Sequence, residues 1–77
     1  MKVQILGTGC AKCKALEQKI RLLNDTHTLN LEIEKVSDIQ EIMKYGILMT
    51  PGLVIDGVVK SSGSIPKDEQ LLGWMKG

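Results

Sequence analysis

The 77-residue chain lacks phenylalanine and has only one tryptophan and one tyrosine, so its core must consist mainly of aliphatic side chains. It also lacks a large excess of positive or negative charge. The formal net charge of +1 argues against a nucleic-acid binder that uses a dense basic surface. No apolar run approaches the roughly 18 residues of a membrane span, and we see no signal-peptide pattern after Met1. We therefore expect a monomeric, cytosolic protein that forms a single domain over 1–77, without a membrane or nucleic-acid partner.

Cysteine is scarce as well, and its placement is informative. The sequence has two cysteines, Cys10 and Cys13, in a single Cys-Ala-Lys-Cys motif. A disulfide scaffold would need more cysteines, spread along the chain to close long loops. A bond between these two closes a very short loop near one end. The pair therefore indicates a chemical role rather than a structural one.

The order of apolar and polar residues predicts an α/β protein whose elements follow the order βαβαββα. Alternation predicts strands over 1–6 and about 29–36. Between them we expect a helix from about Ala11 to Asn24, followed by a loop over 24–28. Its buried stripe recurs at helical spacing and consists of Cys13, Leu16, Ile20 and Leu23.

The second half of the chain is predicted to hold a short helix, a hairpin and a terminal helix. Ser37 or Asp38 is expected to cap the short helix. Asp56-Gly57 predicts a two-residue turn between strands over 53–55 and 58–61, because both turn positions need a positive φ. The expected inward residues are Ile39, Ile42 and Met43 in the short helix, and Leu71, Leu72 and Met75 in the terminal helix that Asp68 and Glu69 open. With a right-handed β-α-β crossover, these elements form a four-stranded mixed sheet with helices on both faces.

In this arrangement Cys10 falls where the first strand ends and the first helix begins. Its sulfur would face the unpaired N–H groups of the first helical turn and the positive end of the helix dipole, both of which favour the thiolate. Cys13 lies one turn later on the same face, within reach of a disulfide and on the buried stripe. An exposed nucleophile beside a sheltered second thiol is what thiol–disulfide exchange requires.

The residues of this region bear on two other kinds of site, a metal site and a dinucleotide-binding loop. Structural zinc needs a full tetrahedral ligand set, whereas the chain offers two cysteines and His27, which we expect in a solvated loop. A module that binds a soft metal such as Cu(I) through the two cysteines stays open as an alternative. Gly7-Thr8-Gly9 is not a dinucleotide-binding loop, because Lys12 occupies the third glycine position. These glycines are expected to let the backbone turn sharply around the nucleophile.

Three segments together carry a resemblance to a known family. They are Ile5-Leu6-Gly7-Thr8-Gly9-Cys10-Ala11-Lys12-Cys13, then Thr50-Pro51-Gly52, and then the Asp56-Gly57 hairpin with its terminal helix. Over nearly its whole length the chain resembles the thioredoxin and glutaredoxin superfamily. It is most similar to the very small thioredoxin-like "redox-active disulfide" proteins of archaea and anaerobic bacteria. The resemblance implies a minimal thioredoxin fold.

The resemblance also implies roles for individual residues. Cys10 would attack a disulfide and Cys13 would resolve the mixed disulfide. Pro51 would be a cis-proline that faces the disulfide, and the backbone of Thr50 would pair with a substrate segment. The remaining substrate-binding positions would be Gly9, Ala11 and Lys12. No metal and no cofactor are implied besides the redox-active disulfide itself.

This sequence departs from the usual thioredoxin pattern at several positions. Gly9 replaces a tryptophan before the first cysteine, and Ala11-Lys12 replaces Gly-Pro between the cysteines. The buried acidic residue that assists proton transfer in thioredoxins has no counterpart among Val3, Gln4 and Ile5.

The expected partners are client proteins with disulfides and a flavin-dependent donor that resembles thioredoxin reductase. Glutathione-dependent glutaredoxin activity is the alternative. Glutaredoxins typically present Gly-Gly and an acidic residue in the loop before the last helix, and the matching segment here spans 62–68. It has a single glycine, Pro66 has no N–H group, and Lys67 lies where the acid would be needed.

Overall fold

The computed structural model describes residues 1–47 and 49–76. Its elements follow the predicted order: β1 (Lys2–Leu6), α1 (Ala11–His27), β2 (Glu32–Val36), α2 (Ile39–Lys44), β3 (Gly52–Ile55), β4 (Val58–Ser62) and α3 (Asp68–Met75). Within these described ranges, no helix is both long and apolar enough to cross a bilayer.

The four strands form one mixed sheet in the order β2-β1-β3-β4. β1 is parallel to β2, as the β-α-β crossover requires, and β3 runs antiparallel to both β1 and β4. The turn between β3 and β4 has a positive φ at both central positions, 49° at Asp56 and 84° at Gly57. The predicted fold class and hairpin are therefore confirmed.

Each face of the sheet carries its own apolar cluster. The larger cluster is formed with α1 and α3, and its buried members are Val3, Ile5, Leu16, Ile20, Leu23, Leu53, Ile55, Leu71 and Met75. The smaller cluster involves α2 and contains Leu6, Ile42, Ile47 and Val54. Successive strand residues point to opposite faces, so β1 contributes to both clusters. Helices therefore cover both faces, and the carboxyl end of β1 leads directly into the CxxC segment.

The connection from α1 to β2 differs from the prediction. The helix runs to His27, so the loop predicted over 24–28 was wrong. Thr28 adopts the left-handed conformation with φ of 50° and donates its N–H to the carbonyl of Asn24, which ends the helix. The Asn24 side chain then accepts the N–H of Leu31 at 3.0 Å. A second positive φ, 55° at Asn30, keeps the chain from becoming a strand before Glu32.

The predicted apolar face of α2 was also wrong. Ile39 and Met43 are 61% and 67% exposed, and of the three predicted inward residues Ile42 alone is buried. A helix of six residues makes fewer than two turns, so it presents very few positions to the sheet. Asp38 is its N-cap, since its carboxylate accepts the N–H of Gln40 at 2.9 Å. In α3, Leu72 is half-buried rather than fully inward.

Candidate active site

Cys10 is the N-cap residue of α1. Its backbone is extended, with φ of −66° and ψ of 167°, and its carbonyl accepts the N–H of Lys14 at 3.0 Å. Its Sγ atom accepts the backbone N–H of Cys13 at 3.2 Å. The first turn of α1 contains no acidic residue to oppose the helix dipole. The sulfur therefore lies at the positive end of the helix, the environment that the sequence predicted for it.

A disulfide joins Cys10 to Cys13, with a Cα–Cα distance of 5.0 Å. This separation is within the ordinary range for disulfides. The two cysteines differ sharply in exposure: Cys10 is exposed, whereas Cys13 is only 5% exposed. Of the two sulfurs, the one at the N-cap is therefore the more open to a partner.

Gly7 brings the end of β1 against Cys13. A Cβ atom placed on Gly7 would overlap the Sγ atom of Cys13 and would lie 3.0 Å from its Cβ atom and 3.9 Å from that of Thr50. The prediction of a turning role holds for Gly9, which has φ of 92° and open space around it. For Gly7 the prediction of a turning role was wrong, because its φ lies outside the left-handed region. The lack of a side chain at Gly7 instead lets Cys13 pack closely against the backbone.

The other predicted site residues lie around this pair. The bond between Thr50 and Pro51 is cis. Pro51 is buried, and its carbonyl accepts the N–H of Gly63 at 2.9 Å. Thr50 is half-buried and near Gly7, which places it on the Cys13 side of the site. The positions that surround Cys10 in sequence are exposed, namely Gly9, Ala11 and Lys12. Their contact with substrate stays a prediction.

A small pocket opens beside the buried sulfur. Its lining residues are Ile5, Gly7, Gly9, Cys13, Lys14, Glu17 and Lys35. Glu17 and Lys35 were not among the predicted site residues. The signal for Glu17 was its position four residues after Cys13, which places both on one side of α1. Lys35 comes from β2, where it is the register partner of Ile5, and no local pattern marks it.

Glu17 is held by two cations. Its carboxylate accepts a hydrogen bond from Arg21 Nε at 2.9 Å and pairs with Lys35 Nζ at 3.4 Å. The hydrogen bond from Arg21 is the main cause that lowers the pKa of Glu17. Partial burial opposes this shift, and the hydrogen bond and charge of Lys35 add to it. Although β1 lacks an acidic residue, α1 thus provides a carboxylate to the same pocket as Cys13.

A zinc site with a full ligand set has no candidate among the described residues, whereas the soft-metal alternative on Cys10 and Cys13 alone stays a prediction. Within residues 1–47 and 49–76, no group of three or more His, Cys, Asp or Glu side chains is arranged to hold a metal ion. His27 is exposed at the far end of α1, rather than in the loop where it was expected. The chemistry that this arrangement offers is that of a dithiol–disulfide couple.

Comparison with known proteins gives consistent matches. A family model described as a thioredoxin domain matches residues 1–76, a span that includes every element from β1 to α3. A protein named thioredoxin from Methanothermobacter thermautotrophicus is 37% identical over 71 residues, which cover 92% of each chain. Another protein named thioredoxin, from Methanocaldococcus jannaschii, is 33% identical over 69 residues. These cover 90% of this chain and 79% of that one.

Proposed function

The chain belongs to the thioredoxin family, and from this premise we propose that it reduces disulfide bonds in client proteins with its Cys10–Cys13 dithiol. Family membership and the CxxC disulfide support a thiol–disulfide oxidoreductase. The observation that carries the more specific proposal is the asymmetry of the two sulfurs. Cys10 Sγ is at an exposed helix N-terminus and accepts a backbone N–H, whereas Cys13 is buried behind it.

The proposed reaction begins with the dithiol form. The Cys10 thiolate attacks one sulfur of the client disulfide, so a mixed disulfide forms and the other client sulfur leaves as a thiolate that takes up a proton. Cys13 then loses its proton and attacks Cys10 Sγ. The Cys10–Cys13 disulfide forms and the second client sulfur is released and protonated. Overall the dithiol gives two electrons to the client, and the two protons that Cys10 and Cys13 release to solvent balance the two that the client sulfurs take up.

Client binding is assigned to the surface around Cys10. Gly9, Ala11 and Lys12 are exposed beside the nucleophile, so a client segment can reach them without displacing the core. We assign Thr50 and Pro51 to the opposite side, where the Thr50 backbone would pair with an extended client segment as an added strand. The nearness of Thr50 to Gly7, which itself contacts Cys13, supports this placement.

We assign re-reduction to a flavin-dependent, thioredoxin-reductase-like donor rather than to glutathione. Asp68 is the acidic residue of the matching segment over 62–68, and it is already paired with Lys19 of α1 at 2.9 Å. Lys19 Nζ also donates to the carbonyl of Pro66 at 3.1 Å. Together with the missing N–H of Pro66, these contacts leave few free groups for the charged end of glutathione. Such a donor system fits a reducing compartment, so we also assign the protein to the cytosol.

Reduction of insulin disulfides in two parallel coupled assays tests this function. One assay contains NADPH and a thioredoxin-reductase-type enzyme, and the other contains NADPH, glutathione and glutathione reductase. We expect turnover with the first system and little with the second. Cys10→Ser should abolish turnover in the first system, while the exposed-site control Ser64→Ala should retain it.

The outcomes separate the alternatives. Efficient turnover with glutathione alone would identify a glutaredoxin and contradict the assigned donor. Wild-type protein that is fully reduced by dithiothreitol but does not reduce insulin would contradict client reduction itself.

A further inference from the structure

Gly7 is distinguished from the other glycines of the described residues by what it contacts. A Cβ atom at Gly9, Gly46, Gly57 or Gly73 would meet nothing within 4 Å, and one at Gly52 or Gly63 would meet an apolar side chain. A Cβ atom at Gly7 would instead overlap the reactive sulfur of Cys13. The space that a side chain would fill at position 7 is therefore the space in which this sulfur lies.

We propose that Gly7 is a positioning residue that sets the reduction potential of the Cys10–Cys13 couple. Because position 7 has no side chain, it leaves free the space that Cys13 Sγ occupies in the disulfide form. This inference rests on the proposed function only in that it concerns the same Cys10–Cys13 couple. Gly7 does not contact a substrate in this role. It acts through Cys13, because it leaves room for the position that Cys13 Sγ takes in the disulfide.

The role depends on space rather than on backbone conformation. The φ of Gly7 lies outside the left-handed region, so alanine can adopt the same backbone without the strain expected at Gly9. The segment cannot easily move away, because the N–H of Gly7 donates to the carbonyl of Val36 at 2.9 Å and anchors it to β2. On the other side, the backbone of Cys13 is fixed in the first turn of α1.

The two redox states respond differently to a methyl group at position 7. In the disulfide form, Cys13 Sγ is bonded to Cys10 and cannot rotate away. In the dithiol form, the same sulfur can turn about the Cα–Cβ bond to another staggered rotamer. A methyl group therefore destabilises the disulfide form more than the dithiol form. The reduction potential of a Gly7→Ala variant should become less negative.

Equilibration with dithiothreitol measures this effect directly. The protein disulfide accepts two electrons and two protons and becomes a dithiol, while dithiothreitol loses them and closes to its cyclic disulfide. After acid quenching and alkylation, mass spectrometry gives the ratio of the two protein forms. For Gly7→Ala we expect the equilibrium constant to shift toward the dithiol by about tenfold or more, and tenfold is about 30 mV for this couple.

Two controls separate this role from general damage to the fold. Gly52→Ala is also buried in the sheet but would crowd Ile47 rather than the sulfur, so it should lower stability without shifting the equilibrium constant. Gly73→Ala lies on the exposed side of α3 with open space around it, so it should leave the equilibrium constant unchanged and slightly raise stability, because alanine favours a helix over glycine. An unchanged equilibrium constant in Gly7→Ala, or an equal shift in Gly52→Ala, would overturn the proposal.

A double-mutant cycle keeps the test decisive even if Gly7→Ala folds poorly. In a Cys13→Ala background the Sγ atom is absent, so the overlap with it is removed. Urea unfolding should show that Gly7→Ala costs clearly less stability in this background than in the oxidised parent. An equal cost in both would contradict the proposal. Because insulin reduction is measured separately, a shifted potential without client reduction would contradict the proposed function alone.

Discussion

The backbone N–H of Cys13 donates a hydrogen bond to the Sγ atom of Cys10 at 3.2 Å. The residue that closes the disulfide is therefore also the residue whose main chain holds the other sulfur at the start of α1. After reduction, this N–H group and the helix dipole can stabilise negative charge on Cys10. Cys13 has its sulfur against Gly7 inside the protein and lacks the same exposure to a partner. The predictions on reactivity follow from this difference.

Alkylation of the reduced protein should modify Cys10 before Cys13. Iodoacetamide at neutral pH reacts with accessible thiolates, and Cys10 is exposed at a helix N-terminus whereas Cys13 is 5% exposed. Quenching after partial reaction and peptide mass spectrometry identify the modified sulfur. A singly alkylated product labelled mainly at Cys13 would reverse the assigned roles.

Replacement of each cysteine by serine should give opposite results with client proteins. Cys13→Ser keeps the nucleophile but removes the resolving thiol, so mixed disulfides through Cys10 should accumulate and be visible on non-reducing gels. Cys10→Ser leaves a buried thiol and should trap little or nothing. Stronger trapping by Cys10→Ser would show that Cys13 makes the first attack.

Leu16→Ala should be among the most destabilising single substitutions in α1. Leu16 is completely buried in the larger cluster, and truncation of a buried leucine costs about 2–5 kcal/mol. Leu22→Ala is the matched control on the same helix, because Leu22 is 65% exposed and its loss should cost within about 0.5 kcal/mol. Urea unfolding of the oxidised proteins gives both values. Similar costs at the two positions would show that the larger cluster does not hold α1.

The sequence predicted those features that depend on local patterns. β1, the Asp56-Gly57 hairpin and Cys10 at the helix start each have a local signal of alternation, turn chemistry or motif spacing. The predicted end of α1 was too early, because the helix continues through Asp25, Thr26 and His27 before left-handed Thr28 ends it.

The remaining errors concern contacts between distant segments. The apolar residues of α2 suggested a wide buried face. The helix has only six residues, however, and Ile39 and Met43 lie in solvent. Lys35 reaches the pocket through strand pairing, and Gly7 meets Cys13 because β1 lies beside α1. Such contacts depend on how elements pack and leave no spacing pattern in one sequence.

Glu17→Gln should make the stability of the protein less dependent on pH in the acidic range. In the folded state Arg21 and Lys35 hold the pKa of Glu17 below its unfolded value. The carboxylate therefore contributes stability that is fully present above the unfolded-state pKa. This contribution disappears as pH falls through the folded-state pKa, because both states are then protonated. The wild-type advantage over Glu17→Gln should be present at pH 7 and vanish in strong acid.

The difference in stability between wild type and Glu17→Gln at pH 7 should be modest. Glu17 is 17% exposed, but Arg21 and Lys35 are each more than half exposed, so solvent screens the pairs and about 1 kcal/mol is the upper expectation. Glu32→Gln is the matched control, because Glu32 is exposed at the start of β2. Urea midpoints measured from pH 7 down to pH 2 give the comparison. A difference between wild type and Glu17→Gln that persists at pH 2 would show that Glu17 stabilises α1 by packing rather than by charge.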